Sequence, residues 1–186
     1  MHLFRVLFFA TLVFFLCLTI PLPAINLNIS PLQQFYIMKE MVPHLKTVGI
    51  FWNKQTTQTE ELLPQINRAC AAVQVKAVIA EINELKAISE NFRNMVNSYH
   101  IDAVWVIGND EILNSDIAVD YLIKNSVLNK IPLFAPNTDW VNSGACVTLL
   151  NQDNRVKLFV NKKTADAIGV QLSETLLAKT EFLALN

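Results

Sequence analysis

The pattern of apolar and polar positions divides the chain into two parts near residue 24. Residues 6–22 are almost wholly apolar, follow His2 and Arg5, and lead to the small residue Ala24 and then to polar sequence. A basic start, an apolar stretch and a small residue at its end are typical of a secretory signal peptide. We therefore expect residues 1–24 to be an export signal. Retention as a membrane anchor is the alternative, although the stretch is shorter than the roughly 20 residues that usually cross a bilayer.

Residues 25–186 alternate short apolar runs with segments of helical periodicity. The apolar runs predict strands at residues 46–52, 75–80, 101–107, 131–135, 145–150 and 156–160. Helical spacing predicts helices at residues 31–42, 58–73, 88–99, 113–128 and 164–168, with 137–143 as a loop or one short turn. This alternation indicates a mostly parallel, doubly wound sheet with helices on both faces. The predicted fold is an α/β three-layer sandwich of flavodoxin-like order, formed by residues 25–186 as a single lobe.

Two of the predicted strands have the composition of a sheet centre. Residues 48–52 and 103–106 are apolar without alternation, which is typical of strands covered by helices on both faces. Residues 101–107 are the best candidate for the central strand. Pro132 predicts either the start of the fourth strand or an edge position, because proline cannot donate to a ladder.

Residues 57–60 have the pattern of a capping box. The Thr57 hydroxyl would accept a hydrogen bond from a free amide of the first turn, and Glu60 would return one. Pro64 would then lie inside a helix that begins at Gln58, at a cost of about 3 kcal/mol. A start at Glu61 is the alternative.

Charge and cysteine usage narrow the choice of partners. The full chain has a formal net charge of −1, and removal of residues 1–24 would take away only one charged residue, Arg5. Without a concentrated basic face, no nucleic-acid partner is expected. Cys70 falls on the apolar face of a helix and Cys146 in a strand, where a free cysteine packs as a small hydrophobe. A disulfide between them is the alternative, because an exported protein reaches a compartment that permits one.

Candidate binding residues follow the predicted strands. In an open parallel sheet, ligands bind at the carboxyl ends of the strands, next to the switch in strand order. Three polar segments lie there, at residues 53–57, 109–111 and 137–140. Asn, Asp and Thr at such junctions also cap helices, but their coincidence at one edge favours a binding site. Trp140 would either stack on a ligand or close the core.

The sequence contains few groups suited to catalysis. His44 and His100 have no cysteine or second histidine at zinc-ligand spacing. The four glycines form no GxGxxG fingerprint, no Walker loop and no nucleophile elbow. We therefore expect a protein that is not an enzyme and that has no cofactor and no dedicated metal site.

Two other classes of protein with the same alternation, flavodoxins and phospho-acceptor receiver domains, require particular residues in the loop after the first strand. Thr56, Thr57 and Thr59, directly after the first strand, are similar to the hydroxyl-rich flavin loop of flavodoxins, but this loop has no glycine. A phospho-acceptor receiver domain needs an acidic pair where this chain has Asn53 and Lys54. Neither use is favoured.

Several segments together resemble a known family. They comprise residues 34–43, 48–53, 101–106, 130–135, 143–145 and, most specifically, 160–170. In order and spacing they resemble the carboxyl-terminal half of ABC-transporter substrate-binding proteins related to the exported tryptophan- and tyrosine-binding receptors. Two similar α/β lobes close on a small solute in that family. The resemblance implies capture of a small polar solute, an amino acid or similar, for uptake or sensing.

The resemblance also implies which side chains face the ligand. Carried over by position, they are Asn53, Gln55, Thr57, Asn109, Asp110, Asn137 and Trp140. Each would form hydrogen bonds with polar groups of the solute, and Trp140 would offer a stacking face.

The chain departs from the family pattern in two places. The predicted signal runs almost directly into second-lobe sequence, so the first lobe is expected to be missing. Only residues 151–154 stand where a long helix is expected before the last predicted strand. A membrane permease, a membrane sensor or a second copy of the chain is the expected partner. The alternative function is a periplasmic protein-interaction module that docks on a membrane sensor or transporter without binding a solute.

Overall fold

The structure is a computed structural model that describes residues 29–183. The signal or anchor predicted at residues 1–24 lies outside these residues. Within the described range, none of the helices combines the length and the apolar character needed to cross a membrane.

The described residues contain one seven-stranded sheet. Its strands are β1 (Thr47–Asn53), β2 (Lys76–Ile82), β3 (Ala103–Ile107), β4 (Leu133–Ala135), β5 (Val147–Gln152), β6 (Arg155–Asn161) and β7 (Thr180–Leu183). They are ordered β2-β1-β3-β4-β5-β6-β7, and all neighbours are parallel except β5 and β6. The order of the first five strands is flavodoxin-like, which confirms the predicted fold class.

Helices cover both faces of the sheet. They are α1 (Pro31–Met41), α2 (Thr59–Val73), α3 (Leu85–Tyr99), α4 (Asp116–Leu128), α5 (Thr138–Asn142), α6 (Lys162–Ile168) and α7 (Glu174–Leu177). Apolar side chains of α1, α2, α6 and α7 belong to one core cluster, and those of α3, α4 and α5 belong to a second. We call the two sides of the sheet the α1 face and the α3 face.

The strands β1 and β3 are the buried centre of the sheet, as predicted. All residues of β3 and all but the first of β1 are buried. On the α1 face, the ring of Trp105 packs edge-on against Phe35 of α1, with centroids 5.8 Å apart. On the α3 face, Gly49 permits a close approach, because a Cβ there would lie 2.7 Å from the sulfur of Met95. Both faces of the central strands are therefore closed by helices.

The predicted capping box at residues 57–60 is wrong. The helix α2 begins at Thr59 with Gln58 at the N-cap position. A tight turn after β1 is the reason, since the backbone N–H of Thr57 donates to the carbonyl oxygen of Asn53 at 3.0 Å. This turn buries Thr57 before the helix starts.

Other element bounds differ from the predictions. The alternative start of α2 at Glu61 is wrong, because Pro64 is accommodated inside the helix. The helix α4 begins at Asp116 and not at residue 113, since residues 110–114 form a separate turn and Ser115 caps the helix. Residues 138–142 form the short helix α5. Pro132 directly precedes β4, which lies inside the sheet, so the first of its two interpretations is confirmed.

A two-residue turn joins β5 to β6. Gln152 pairs with Arg155, and the intervening Asp153 and Asn154 have φ values of 52° and 60°. Positive φ at both positions is the requirement of a type I′ hairpin turn. The predicted lack of a long helix at residues 151–154 is confirmed.

The last described residues add a strand that was not predicted. The strand β7 pairs parallel with β6. In this tail Leu176 is buried, whereas Leu177 and Phe182 are exposed.

Both cysteines in the described residues are free and buried, as predicted. Cys70 lies in α2, and Cys146 directly precedes β5. Burial raises the pKa of the Cys146 thiol to about 12. Burial also raises the pKa of Cys70, and a hydrogen bond with the backbone of Ala77 opposes this rise only in part.

The hairpin turn provides a test of backbone strain. We expect Asn154→Gly to raise the free energy of unfolding by about 0.5 kcal/mol, because glycine adopts a positive φ without steric cost. Asn151→Gly is the matched control, since Asn151 is exposed in β5 and glycine there only adds chain entropy, which should lower stability. Urea unfolding followed by circular dichroism measures both changes. A loss of stability in Asn154→Gly would contradict the interpretation.

Candidate functional site

A cavity of about 350 Å³ opens at the carboxyl ends of β3, β4 and β5. This is the edge at which ligands bind in open parallel sheets, and the volume is in the range of small-molecule sites. Ile29 and Gln34 close one side of the cavity, and Thr56 comes from the loop after β1. The remaining lining residues belong to the three strand ends and the turns after them: Trp105, Val106, Ile107, Gly108, Asn109, Asp110, Ala135, Pro136, Leu149 and Leu150.

Gly108 directs the chain out of β3 and into the cavity wall. Its φ of 99° is a conformation that favours glycine. Asn109, which follows, is exposed, and Asp110 is half-buried. The turn therefore places an amide and a carboxylate side by side on the wall.

The two oxygens of Asp110 have different surroundings. Oδ1 accepts hydrogen bonds from Nδ2 of Asn53 at 2.9 Å and from the backbone N–H groups of Ile112 and Leu113 at 3.0 and 3.1 Å. Oδ2 is buried and has no hydrogen-bond partner in the described part of the chain. One oxygen thus closes the turn after β3, and the other is left for a further donor. Asn53 is itself fixed, because its Oδ1 accepts from the backbone N–H of Gln55 at 2.8 Å.

Asn109 connects two loops. Its Oδ1 accepts a hydrogen bond from Nδ2 of Asn137 at 2.9 Å and another from the side-chain amide of Asn114. Oδ1 of Asn114 accepts from the indole N–H of Trp140 at 2.8 Å. Oδ1 of Asn137 caps α5 by accepting from the backbone N–H groups of Asp139 and Trp140. The loops after β3 and β4 are therefore held together at the cavity.

The structure brings six of the seven predicted binding residues into or next to these two networks. Asn109 and Asp110 line the cavity, and Asn53 and Asn137 donate hydrogen bonds to them. The backbone of Gln55 is bound to Asn53, while its side chain is exposed.

The last two predicted residues are buried. The ring of Trp140 is 2% exposed and belongs to the core cluster of the α3 face. From the core side, its indole N–H donates to Asn114, which in turn is hydrogen-bonded to Asn109. Thr57 is buried at the start of α2, and its hydroxyl has no hydrogen-bond partner in residues 29–183.

Sequence reasoning missed several lining residues, above all Gln34. It lies in α1, three residues after the buried Pro31 and four before the buried Met38. A polar side chain on the buried stripe of a helix is the signal that could have identified it. Leu149 and Leu150 were missed because apolar strand ends look the same whether they line a cavity or a core.

The cavity wall carries little charge. Among residues 29–183, Asp110 is the only charged residue that lines it, and no Lys, Arg or His does. Lys54, in the loop after β1, does not line the cavity and forms an ion pair with Glu81 of β2 at 2.9 Å. Nowhere in the described residues do three His, Cys, Asp or Glu side chains group in a way that could hold a metal ion.

The cavity lies at the strand-exit edge of a parallel α/β lobe and is lined by hydrogen-bonding as well as apolar side chains. Residues 25–155 match the family model described as ABC transporter substrate binding protein. Since the match covers more than half of the chain, the chain belongs to this family. The resemblance noted in the sequence is thereby confirmed. No protein of curated function is significantly similar to the chain.

Solved structures share the fold. A conserved domain protein from Vibrio cholerae matches with 19% identity and a TM-score of 0.69, over 83% of this chain and 60% of that one. An ABC domain in complex with L-Trp from Streptococcus pneumoniae matches with 15% identity and a TM-score of 0.70, over 83% and 60%. A ligand-free, open substrate binding protein with adhesive properties from Clostridium difficile matches with 16% identity and a TM-score of 0.67, over 85% and 61%. The chain therefore spans about three fifths of the length of these proteins.

The Asp110 turn makes a testable contribution to stability. We expect Asp110→Ala to lower the free energy of unfolding by roughly 2–4 kcal/mol, because three donors lose a charged acceptor. Glu111→Ala is the control, since Glu111 is exposed, and surface substitutions of this kind change stability by about 0.5 kcal/mol or less. Denaturant unfolding of both variants measures the difference. Equal stability of the two would show that Asp110 does not hold the turn.

Proposed function

We propose that this protein captures a small solute, an amino acid or a molecule of similar size, as a substrate-binding component of ABC-transporter type that serves uptake or sensing. The cavity at the carboxyl ends of β3, β4 and β5 is the observation that carries the proposal. It combines an apolar wall with a few polar groups, as solute sites do. The L-Trp bound by the pneumococcal neighbour is consistent with a solute of this size.

In this proposal the predicted binding residues have different roles. Asn109 and Asp110, which line the cavity, contact the solute directly. Asn53 and Asn137 position them through the hydrogen bonds of 2.9 Å described above. Gln55 and Thr57 shape the loop beside the cavity, and Trp140 supports Asn109 from behind through Asn114. None of these roles includes bond making or breaking, and no cofactor is required.

A partner completes the binding surface. A lobe that covers only one side of a solute buries less of it than a closed cleft, so affinity for the isolated lobe is weak. We propose a membrane permease, a membrane sensor or a second copy of the chain as the partner that supplies the opposite wall.

A second candidate function is docking on a membrane sensor or transporter without solute. It is favoured by two apolar side chains on one face of α1, Leu32 and Tyr36, which are 39% and 57% exposed. Residues two positions apart on a helix do not share a face, so this pair lies on the side of α1 away from Gln34, which lines the cavity. An exposed apolar pair of this kind is typical of an interaction surface, here one separate from the cavity.

We further propose that the protein is exported to the periplasm or beyond the membrane, and that the segment at residues 1–24 directs it there. This agrees with the apolar stretch at residues 6–22 and with the family assignment.

A thermal-shift screen of the purified full chain tests solute capture. Amino acids, nucleosides and sugars form the panel, and a true ligand at 100 times its Kd adds about 2.7 kcal/mol of stability, which raises Tm by several degrees. Leu150→Trp, which fills the cavity mouth, should abolish the shift. Leu128→Trp is the matched control, since Leu128 is exposed on α4 and does not line the cavity. A shift that survives Leu150→Trp would place the ligand elsewhere, and a panel without any shift would favour docking.

Export has an independent test. Mass spectrometry of protein recovered from the periplasmic fraction should find a chain that starts at Ile25, because Ala24 is the small residue that precedes the predicted cleavage point. Intact residues 1–24 on a membrane-bound protein would support the anchor instead. Recovery of the whole chain from the cytoplasm would contradict both.

A further inference from the structure

The strand β5 extends beyond its neighbour β4 at the cavity. The last pair between the two strands is Ala135 with Thr148, whereas β5 continues to Gln152. Over residues 149–152 this extension is paired with β6, in the hairpin described above. On its other side no strand lies opposite it in the described part of the chain.

Hydrogen bonds of the hairpin show which backbone groups face that side. The backbone N–H of Asn161 donates to the carbonyl oxygen of Cys146, directly before β5, at 3.0 Å. Opposite residues of an antiparallel pair alternate between bonded and non-bonded positions, so the even-numbered residues of β5 bond to β6. Leu149 and Asn151 therefore direct backbone N–H and carbonyl groups away from β6. We call residues 149–151 on this side the free edge of β5.

The chain that leaves β4 turns toward β3 and not along β5. Nδ2 of Asn137, two residues after the end of β4, donates to Oδ1 of Asn109 in the turn after β3 at 2.9 Å. Oδ1 of Asn137 caps α5, whose apolar side chains belong to the core of the α3 face. The pairing of β4 with β5 accordingly ends at Ala135, and the free edge is left uncovered by this segment.

The free edge borders the cavity and reaches solvent. Leu149 and Leu150 line the cavity, Leu150 is half-buried, and Asn151 is exposed. An unpaired strand edge binds an extended segment through main-chain hydrogen bonds. At about 3.3 Å per residue, residues 149–151 span about 10 Å, which matches an extended segment of about three residues.

The opposite wall limits what can lie along the free edge. Residues 108–110, in the turn after β3, line the same cavity, whose volume is about 350 Å³. This volume is in the range of small-molecule sites, and a strand of a folded partner would bring its own neighbouring strands against this wall. Trp105 provides an apolar surface for a side chain of a short peptide. The space therefore favours a short peptide over a strand of another protein.

We propose that the cavity binds a short peptide in an extended conformation, which pairs with the free edge of β5 through the backbone groups of Leu149 and Asn151. This rests on the proposed function and specifies the solute class of the same site. A peptide residue that faces β5 donates its N–H to a carbonyl oxygen of the free edge and accepts from the N–H of Asn151. Because main-chain groups form these bonds, the site tolerates different side chains in the peptide.

Amide hydrogen exchange tests the free edge without a ligand. In the full chain, followed by NMR, the N–H of Asn151 should exchange about tenfold faster or more than that of Leu150, which is bonded to β6. Addition of a bound peptide should slow the exchange of Asn151. Equal protection of Asn151 and Leu150 in the free protein would show that the edge is already covered, and it would overturn the proposal.

Singly N-methylated peptides test the pairing itself. The probes are acetyl-Ala-Phe-Ala-amide and its three N-methyl forms, titrated calorimetrically into the full chain. Successive residues of an extended peptide face opposite sides, so methylation should raise Kd about tenfold or more at alternate positions and about threefold or less at the positions between them. Four equal Kd values would overturn strand pairing while leaving solute capture intact. Failure of every peptide, with a shift from a solute of the thermal-shift panel, would likewise overturn it, and binding of neither kind would overturn both proposals.

A proline variant locates the pairing on β5. Asn151→Pro removes an N–H of the free edge and no hydrogen bond of the hairpin, so Kd for the unmethylated peptide should rise about tenfold or more. Phe182→Pro is the matched control, since Phe182 lies in β7 at the outer edge of the sheet and does not line the cavity. Its Kd should be unchanged. An unchanged Kd in a folded Asn151→Pro would overturn the assignment to β5, and the methylated peptides test the pairing without any change to the protein.

Discussion

The complete burial of β1 and β3 is the constraint on which the rest of the structure depends. A strand that is apolar on both faces must be covered on both, and a sheet covered on both faces is connected by right-handed crossovers. Parallel strands connected in this way all leave the sheet at the same edge. The cavity, the Gly108 turn and the asparagine network lie at this edge because β1 and β3 tolerate no exposed face.

Polar side chains at that edge satisfy one another first. Asn53 and Asp110 connect the loops after β1 and β3, and Asn109 connects the loops after β3 and β4 through Asn137. Because these hydrogen bonds already fix the side chains of the wall, a molecule that bound there would lose little free energy to their ordering. Asn109 and Asp110, which these networks hold in place, are the two of these side chains that line the cavity.

The sequence predicted what depends on periodicity and missed what depends on tertiary contacts. The continuous apolar runs at residues 48–52 and 103–106 identified the central strands, and the carboxyl-end rule identified the edge that holds Asn109 and Asp110. The capping box at Thr57 failed because a turn that starts at Asn53 competes for the same residues. The strand β7 was not predicted because its pairing with β6 is not a local property of the sequence. Gln34 was not predicted as a lining residue, because a single polar residue on a helix does not identify its tertiary neighbours. Its spacing of four residues from the buried Met38 was nevertheless a signal that it lies on the buried side of α1.

Within residues 29–183, both thiols are buried and therefore protected from the redox state of the surroundings. Alkylation and disulfide exchange require thiolate, and burial raises the pKa of Cys146 to about 12 and also raises that of Cys70. Maleimides and similar reagents therefore reach these sulfurs only in molecules that have opened, so the rate of labelling is a measure of how often the α/β core comes apart. Since Cys70 belongs to α2 and Cys146 to the approach to β5, the two rates report on different parts of the same core.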